Sequence, residues 1–480
     1  MKKMQFRKLY TGLLILAVFC SCKQHASNDT NQKNSDENKA NDEIAYYLTK
    51  GDRSALLQKS SFSFKGSKAA QNITVNPSKS FQEIDGFGYT LTGGSADLIA
   101  ALPTAKQDSL LEELFADKEQ SIRLNYLRIS IGASDLSAGT FTYDEMPSGQ
   151  TDPNLEHFSI AQEKKTLIPI LKKILAINPD LKILGSPWTA PTWMKTNGVF
   201  KGGSLKKEYY SNYARYFVKY IEAMKDEGIT LDAITIQNEP LHPGNTPSMY
   251  MEAKDQAFFI KTALGPAFKA AGIKTKIIVY DHNADRPDYP MEIYADKEAS
   301  KYVDGAAFHL YGGQIEALSK VHDAFPDKNL YFTEQWVGGP GNFSEDLKWH
   351  VSTLIIGATR NWSRNVLEWN LAADASYNPH TPDGGCTSCL GALTIDGNRV
   401  TRNVAYYIIG HASKFVPTGS KRIASALIDG LPNVAFLTPQ GNKVLIVVNT
   451  ESGAQTFTIE EAGRYAPVNL PGGSAATFVW

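Results

Sequence analysis

Apolar runs of strand length recur eight times along the chain, separated by segments whose apolar residues return at helical spacing. They cover 84–92, 126–131, 182–186, 233–238, 276–280, 305–309, 329–333 and 365–369. Between them, Leu167, Ile170, Leu171 and Ile174 mark one helical stripe, and Tyr210, Tyr213, Phe217, Tyr220 and Met224 mark another. Strands apolar on both faces belong to a parallel sheet covered by helices on each side. Eight of them in succession match a closed β/α barrel. An open doubly wound sheet would carry a glycine-rich phosphate loop after its first strand, and Gly86-Phe87-Gly88 leads into no such fingerprint.

The tail changes rhythm. Short β-rich runs at 434–437, 443–448, 456–459 and 476–479 alternate with Gly, Pro or Asn, a spacing that predicts antiparallel sheet. Two early runs, 61–64 and 72–75, fall outside the eight and are expected to complete that sheet. The fold class is therefore α/β: a (β/α)8 TIM barrel over 81–404, flanked by a discontinuous β-sandwich from 46–80 and 405–480.

Composition adds limits. Apolar residues make up 42% of 480, enough for a large core, and the 11% aromatic share suits a protein that stacks on flat rings. A net charge of −1 with no long basic run argues against nucleic acid as a partner. Lys2, Lys3, Arg7 and Lys8 precede a short apolar stretch, 9–19, in the pattern of a secretion signal. Ser21-Cys22 then resembles a bacterial lipobox, although Phe19 departs from its usual Leu. Residues 1–22 read as a lipoprotein signal peptide, Cys22 as the lipid-bearing residue, and the polar stretch 23–45 as a tether. A membrane partner is expected only through that anchor, on a bacterial membrane facing the periplasm or the cell surface. The other two cysteines, Cys386 and Cys389, make a weak metal site, and in an exported protein a local disulfide is the better reading.

Chemistry in a barrel gathers at the carboxyl ends of the strands. Those ends carry Asp135, Trp188, Asn238 with Glu239, His309 with Tyr311, Glu334 with Trp336, and Trp369 with Asn370. Aromatic faces beside amides and carboxylates are the lining of a sugar pocket. Each has a structural reading: a loop cap for Asp135, barrel packing for Trp188, an orienting histidine for His309. As a set they point to sugar binding. Glu239 and Glu334 each close an apolar run, where a carboxylate is costly unless paired or used. Two such groups suggest the carboxyl pair that cuts a glycosidic bond. Tyr311 is placed to hold Glu334, and Asn238 to contact a sugar hydroxyl. No His and carboxylate set has metal-ligand spacing, so neither metal nor other cofactor is expected.

These residues carry a family likeness. Ser134-Asp135-Leu136-Ser137, the run 186–198 from Ser186-Pro187-Trp188-Thr189 to Lys195-Thr196-Asn197-Gly198, Asn238-Glu239-Pro240, His309-Leu310-Tyr311, Thr333-Glu334, Trp369-Asn370-Leu371 and the run 411–417 together resemble glycoside hydrolase family 30. The likeness covers roughly 60–480 and lies near its glucosylceramidase-like branch. It implies a retaining mechanism with Glu239 as acid/base and Glu334 as nucleophile, on a barrel with a β-sandwich. Gln237, Leu241 and Ser248-Met249 look more like the β-1,6-glucanase branch. Trp336 stands where the mammalian enzyme has Cys. The expected substrate is thus β-1,6-glucan, with glucosylceramide or simple β-glucosides as the alternative. Trp336, Tyr377 and the loop 378–389 are expected to line the leaving-sugar side. A surface glycan-binding lipoprotein without catalysis would lack one of the two glutamates, and both are present. The sequence leaves oligomeric state open.

Overall fold

The structure is a computed structural model that describes residues 42–480. The expected signal peptide, Cys22 and the tether to residue 41 lie outside the described residues. Among the described residues no helix is long and apolar enough to cross a membrane.

Three strands precede the barrel: β1 (Glu43–Lys50), β2 (Gln58–Ser63) and β3 (Asn72–Glu83). β1 starts inside the stretch read as tether, because Ile44, Tyr47 and Thr49 are buried against neighbouring strands. The barrel strands follow as β4 (Gly86–Leu91), β5 (Tyr126–Ser130), β6 (Lys182–Ser186), β7 (Ala233–Thr235), β8 (Lys276–Ala284), β9 (Val303–Gly313) and β10 (Asn329–Glu334). After a two-residue ribbon strand, β11 (Val337–Gly338), β12 (Ser363–Asn370) closes the ring by pairing in parallel with both β10 and β4. The eight-stranded barrel expected from the apolar runs is present. Three strands differ most from their expected bounds. β7 is only three residues long, since Ile236–Asn238 leave the sheet to turn into the mouth. β8 and β9 run well past the predicted ends as a bulged ribbon above the rim.

The barrel interior is layered. Tyr126, Leu184, Ala233, Ile278, Ala307, Tyr331 and Leu367, one from each strand except β4, form an apolar plug. At β4 a Cβ on Gly88 would fall 1.8 Å from the Tyr126 carbonyl oxygen, so only glycine permits this approach to β5. Above the plug lies a polar layer built on Arg128.

Between barrel and tail, β13 (Ala372–Ala373), β14 (Cys389–Leu390), β15 (Leu393–Asp396) and β16 (Arg399–Arg402) form small ribbons at the mouth, with β14 paired to β11. The tail supplies β17 (Lys421–Ser425), β18 (Asn433–Leu437), β19 (Lys443–Asn449), β20 (Gln455–Glu461), β21 (Arg464–Leu470) and β22 (Ser474–Val479). Strand order is β2-β1-β22-β19-β18-β17-β3-β20-β21. The long β3 serves both layers of this sandwich: its first residues pair with β20 and the rest with β17. The β3–β20 pairing is parallel, a departure from the all-antiparallel expectation that follows from the two strands lying far apart in sequence. One face of the larger layer packs on the sandwich core, and the other joins the barrel core through Val434, Phe436, Val444, Ile446 and Val448. Burial on both faces makes β19 read as a continuous apolar run.

Phe478 lies at the centre of the sandwich core, stacked on Tyr46 with ring centroids 5.1 Å apart and edge-on to Phe457 at 6.2 Å. Phe478→Ala is expected to lower unfolding stability by about 3–5 kcal/mol, read from urea unfolding at equilibrium.

Candidate active site

The cleft opens at the carboxyl ends of the barrel strands and has a volume of about 260 Å³. Its foundation is Arg128, fully buried in mid-strand on β5. A guanidinium there is tolerable only if each donor is used. Its Nε donates to Ser186 Oγ at 3.1 Å. Its Nη2 donates to Asn238 Oδ1 at 2.6 Å and to Asp281 Oδ2 at 2.8 Å, and its Nη1 donates to Glu334 Oε2. The fully buried Asp281 also accepts from Thr235 at 2.7 Å, from Thr333 at 2.7 Å and from Ser186 at 3.1 Å. Burial pushes the Asp281 carboxyl up, but Arg128 and His309 outweigh it and hold the group well below the usual carboxylate range.

His309 stands between the carboxylates. Its Nε2 lies 3.1 Å from Asp281 Oδ1 and its Nδ1 lies 3.1 Å from Glu239 Oε1. Burial alone would lower its pKa; Glu334, Asp281 and Glu239 instead push it up to about 9. At neutral pH it is an imidazolium donating at both nitrogens. This is an orienting histidine, behind the cleft wall.

Backbone geometry delivers the carboxyls. Glu239 does not end a strand. It follows the turn out of β7 with φ of 46°, held by a hydrogen bond from its N–H to the Asp281 carbonyl at 2.9 Å. Glu334 ends β10, and the exposed Tyr311 donates its hydroxyl to Glu334 Oε1 at 3.0 Å. An oxygen of each glutamate and a His309 nitrogen all lie within 4.8 Å of one another. That triple could in form hold a metal, but a metal needs the lone pair of a neutral imidazole. Here the positive charge is that of His309 itself. Burial and the nearby Glu239 raise Glu334 above the usual range against the pull of His309 and Arg128. Burial also acts on Glu239, yet the His309 hydrogen bond and charge hold it below its ordinary value.

The remaining expected residues divide. Asp135, Trp188, Asn238, Tyr311, Trp336 and Trp369 line the cleft with both glutamates. Trp188 and Trp369 stack with centroids 5.4 Å apart, and the Arg128 guanidinium lies 4.8 Å from the Trp188 ring centroid. Burial, then the charges of Glu334 and Glu239, push Asp135 up to about 8, so it carries a proton at neutral pH. Cys386 and Cys389 form a disulfide that lines the cleft and packs beside Trp188, Trp336 and Trp369. Asn370 does not line the cleft: its Oδ1 accepts from Ser95 at 2.9 Å, which ties β12 to the helix Gly93–Ala100. Tyr377 is absent from the lining too, with its ring packed over Gly339.

Sequence reasoning passed over Arg128, Asp281, His242, Asn245, His282 and Asn283. Signals existed. An arginine inside the apolar run Tyr126–Ser130 is anomalous, and Asp281-His282-Asn283 sits at one of the two strand ends for which no candidate was named, that of β8.

Known proteins bear on this site. The glycosyl hydrolase family 30 TIM-barrel domain matches residues 84–416, and the family's β-sandwich domain matches 419–478. The chain is 34% identical over 443 residues to endo-1,6-beta-D-glucanase neg1 of Aspergillus fumigatus, covering 86% of this chain and 88% of that one. It is 30% identical to the lysosomal acid glucosylceramidase of Mus musculus, over 85% of this chain and 83% of the mouse enzyme. Among solved structures, the endo-beta1,6-glucanase BT3312 superposes with a TM-score of 0.83 at 36% identity, over 91% of this chain and 99% of that one.

One consequence concerns pH. Because the folded pKa of His309 is raised, its stabilising charge is complete below an unfolded value of about 6.5. It is lost as pH rises through about 9. The stability advantage of the unaltered protein over His309→Gln, measured by chemical denaturation, is expected to shrink steadily from pH 6.5 to above 9.

Proposed function

The chain belongs to glycosyl hydrolase family 30 and is a glycoside hydrolase; we propose that it cleaves β-1,6-linked glucan by a retaining, two-glutamate mechanism. The observation that carries the mechanism is the approach of Glu239 and Glu334 to within 4.8 Å. Retaining enzymes hold their carboxyls about 5–5.5 Å apart, whereas inverting enzymes need about 6.5–9.5 Å to admit water between them.

Glu334 is the nucleophile. Its oxygens are aimed by Arg128 and Tyr311, so the carboxylate needs no reorganisation as it attacks the anomeric carbon. Glu239 is the acid/base, giving a proton to the leaving oxygen and later taking one from water. Glu334 keeps its two donors, Arg128 and Tyr311, as a sugar covers the cleft. Asp135 donates to a sugar hydroxyl, Asn238 contacts the hydroxyl next to the anomeric carbon, and Trp188 and Trp369 wall the ring.

The substrate follows from the relatives and the lining. Both glucanases above are named for 1,6-linked β-glucan, and this cleft has polar walls where a lipid aglycone needs an apolar rim. The Cys22 anchor and the stretch ahead of β1 would hold the enzyme to the membrane of an exporting bacterium, within reach of polysaccharide.

The unaltered enzyme should hydrolyse β-1,6-glucan well above β-1,3- or β-1,4-glucan and glucosylceramide. Glu334→Gln should abolish turnover. Glu239→Gln should spare aryl glucosides with good leaving groups and give β-glucosyl azide when azide is added. Unrescuable, equal loss in both variants would sink the assignment, and preference for glucosylceramide would sink the substrate. Separately, Cys22→Ala should move the protein from the membrane to the soluble fraction at unchanged kcat/KM on a soluble substrate. Labelled fatty acid persisting on that variant would place the anchor elsewhere.

A further inference from the structure

His282 occupies an unusual position. It is 8% exposed and lines the cleft, yet its Nδ1 has no hydrogen-bond partner among the described residues. A buried nitrogen left unpaired carries its full desolvation penalty, which a protein recovers when something that visits the site completes the bond.

The backbone is bent to put it there. Tyr280 pairs with Ala307 and His282 with Phe308, so Asp281 is an extra residue in β8, a bulge. Tyr280 and Asp281 have φ of 73° and 64°, a left-handed pair that is rare for residues other than glycine. The bulge turns Asp281 inward to Arg128 and leaves His282 facing the cleft. Strain of this kind persists where a site over-determines it.

Placement says which part of a substrate His282 meets. Its charge neighbours are Glu239 first, then His309, Asp285 and His242. Glu334, Asp135, Trp188 and Trp369 are not among them. Around Glu239, the loop after β7 supplies His242 and Asn245, and β8 supplies His282 and Asn283. Asn283 accepts from the Tyr311 N–H at 3.1 Å, which fixes that part of the rim. Burial pushes the His282 pKa down to about 4, so the ring is neutral at working pH, with one donor and one acceptor.

We infer that His282, with His242 and Asn245 beside it, is the contact that reads the hydroxyl groups of the leaving sugar and so selects a hydroxylated leaving group over a lipid one. This rests on the catalytic roles proposed above, which put the leaving oxygen at Glu239. A hydroxyl seated between these groups completes the bond that Nδ1 lacks. An aliphatic chain would leave it unpaired, a difference that sites built for hydrogen bonding convert into strong discrimination.

The test compares the unaltered enzyme with His282→Phe and His282→Gln on β-1,6-glucan and on 4-nitrophenyl β-glucoside. In His282→Phe, kcat/KM for the glucan should fall at least tenfold further than that for the aryl glucoside. His282→Gln, which keeps a neutral donor and acceptor, should recover part of the difference. A second reading uses the aryl glucoside with a β-1,6-linked disaccharide as acceptor. There the acceptor hydroxyl attacks the glucosyl carbon, gives its proton to Glu239, and the ester bond to Glu334 breaks. The ratio of transfer to hydrolysis should drop in His282→Phe, a partition that mere loosening of the fold does not change. Equal losses on both substrates with an unaltered transfer ratio would overturn the role of His282. Failure of the unaltered enzyme on β-1,6-glucan would instead count against the substrate proposed above, and the transfer ratio, measurable with any β-linked disaccharide, would still judge His282.

Discussion

The ion pair of Arg128 and Asp281, buried among barrel strands, is what the site depends on. Removing two full charges from water costs several kcal/mol each, and the pair persists because every nitrogen of the guanidinium and both oxygens of the carboxylate are hydrogen-bonded. Arg128 spends its donors on Ser186, Asn238, Asp281 and Glu334, and Asp281 takes further donors from Thr235, Thr333 and His309. The layer thus reaches β5, β6, β7, β8, β9 and β10 at once. Glu334 attaches to it through Arg128, and Glu239 through His309. The spacing of the two glutamates is therefore set by one rigid network and not by two independent loops, as a reaction needing sub-ångström placement requires.

That network has a backbone cost that the sequence pattern does not announce. Tyr280, Asp281 and Glu239 all have left-handed backbone angles, each costing on the order of 1–3 kcal/mol. They are linked: the Glu239 N–H donates to the Asp281 carbonyl. The strained turn out of β7 and the bulge of β8 brace each other. Regular strands would send alternate residues outward. These departures let neighbouring residues such as Asp281 and His282 both serve the mouth.

Most of the fold was legible because burial on both faces writes strands as unbroken apolar runs, and all eight were found that way. The strands of the tail were harder. Lys421–Ser425 and Arg464–Leu470 escaped notice because Lys421, Pro467 and Asn469 interrupt them at solvent-facing positions and Arg422, although buried, breaks the apolar run. In the site, residues at strand ends could be read by position alone, which recovered Glu239, Glu334, Asp135, Trp188 and Trp369. Position fails for a side chain inside the barrel, so Arg128 was counted as part of a strand. It fails again where a bulge resets alternation, so His282 was not considered, and where a polar strand end is tied to a helix, as with Asn370 and Ser95.

The sandwich also bears on the cleft, although it lies outside it. A barrel built in chain order must join its first strand to its last, and here that seam is β4 against β12. The chain enters β4 directly from β3, a sandwich strand, and β3 pairs with β17, which follows the barrel. Arg364 of β12 clasps Asp85, the residue before β4, through Nε at 3.1 Å and Nη2 at 2.8 Å. The Ile84 N–H donates to the Ser420 carbonyl at 2.7 Å, just ahead of β17. Arg360 reaches across to the Ser425 and Asn433 carbonyls. Both sides of the seam are therefore fastened to one sheet. Since β12 carries Trp369, whose ring stacks on Trp188 at the cleft wall, a sandwich assembled from the two ends of the chain also fixes one wall of the sugar site.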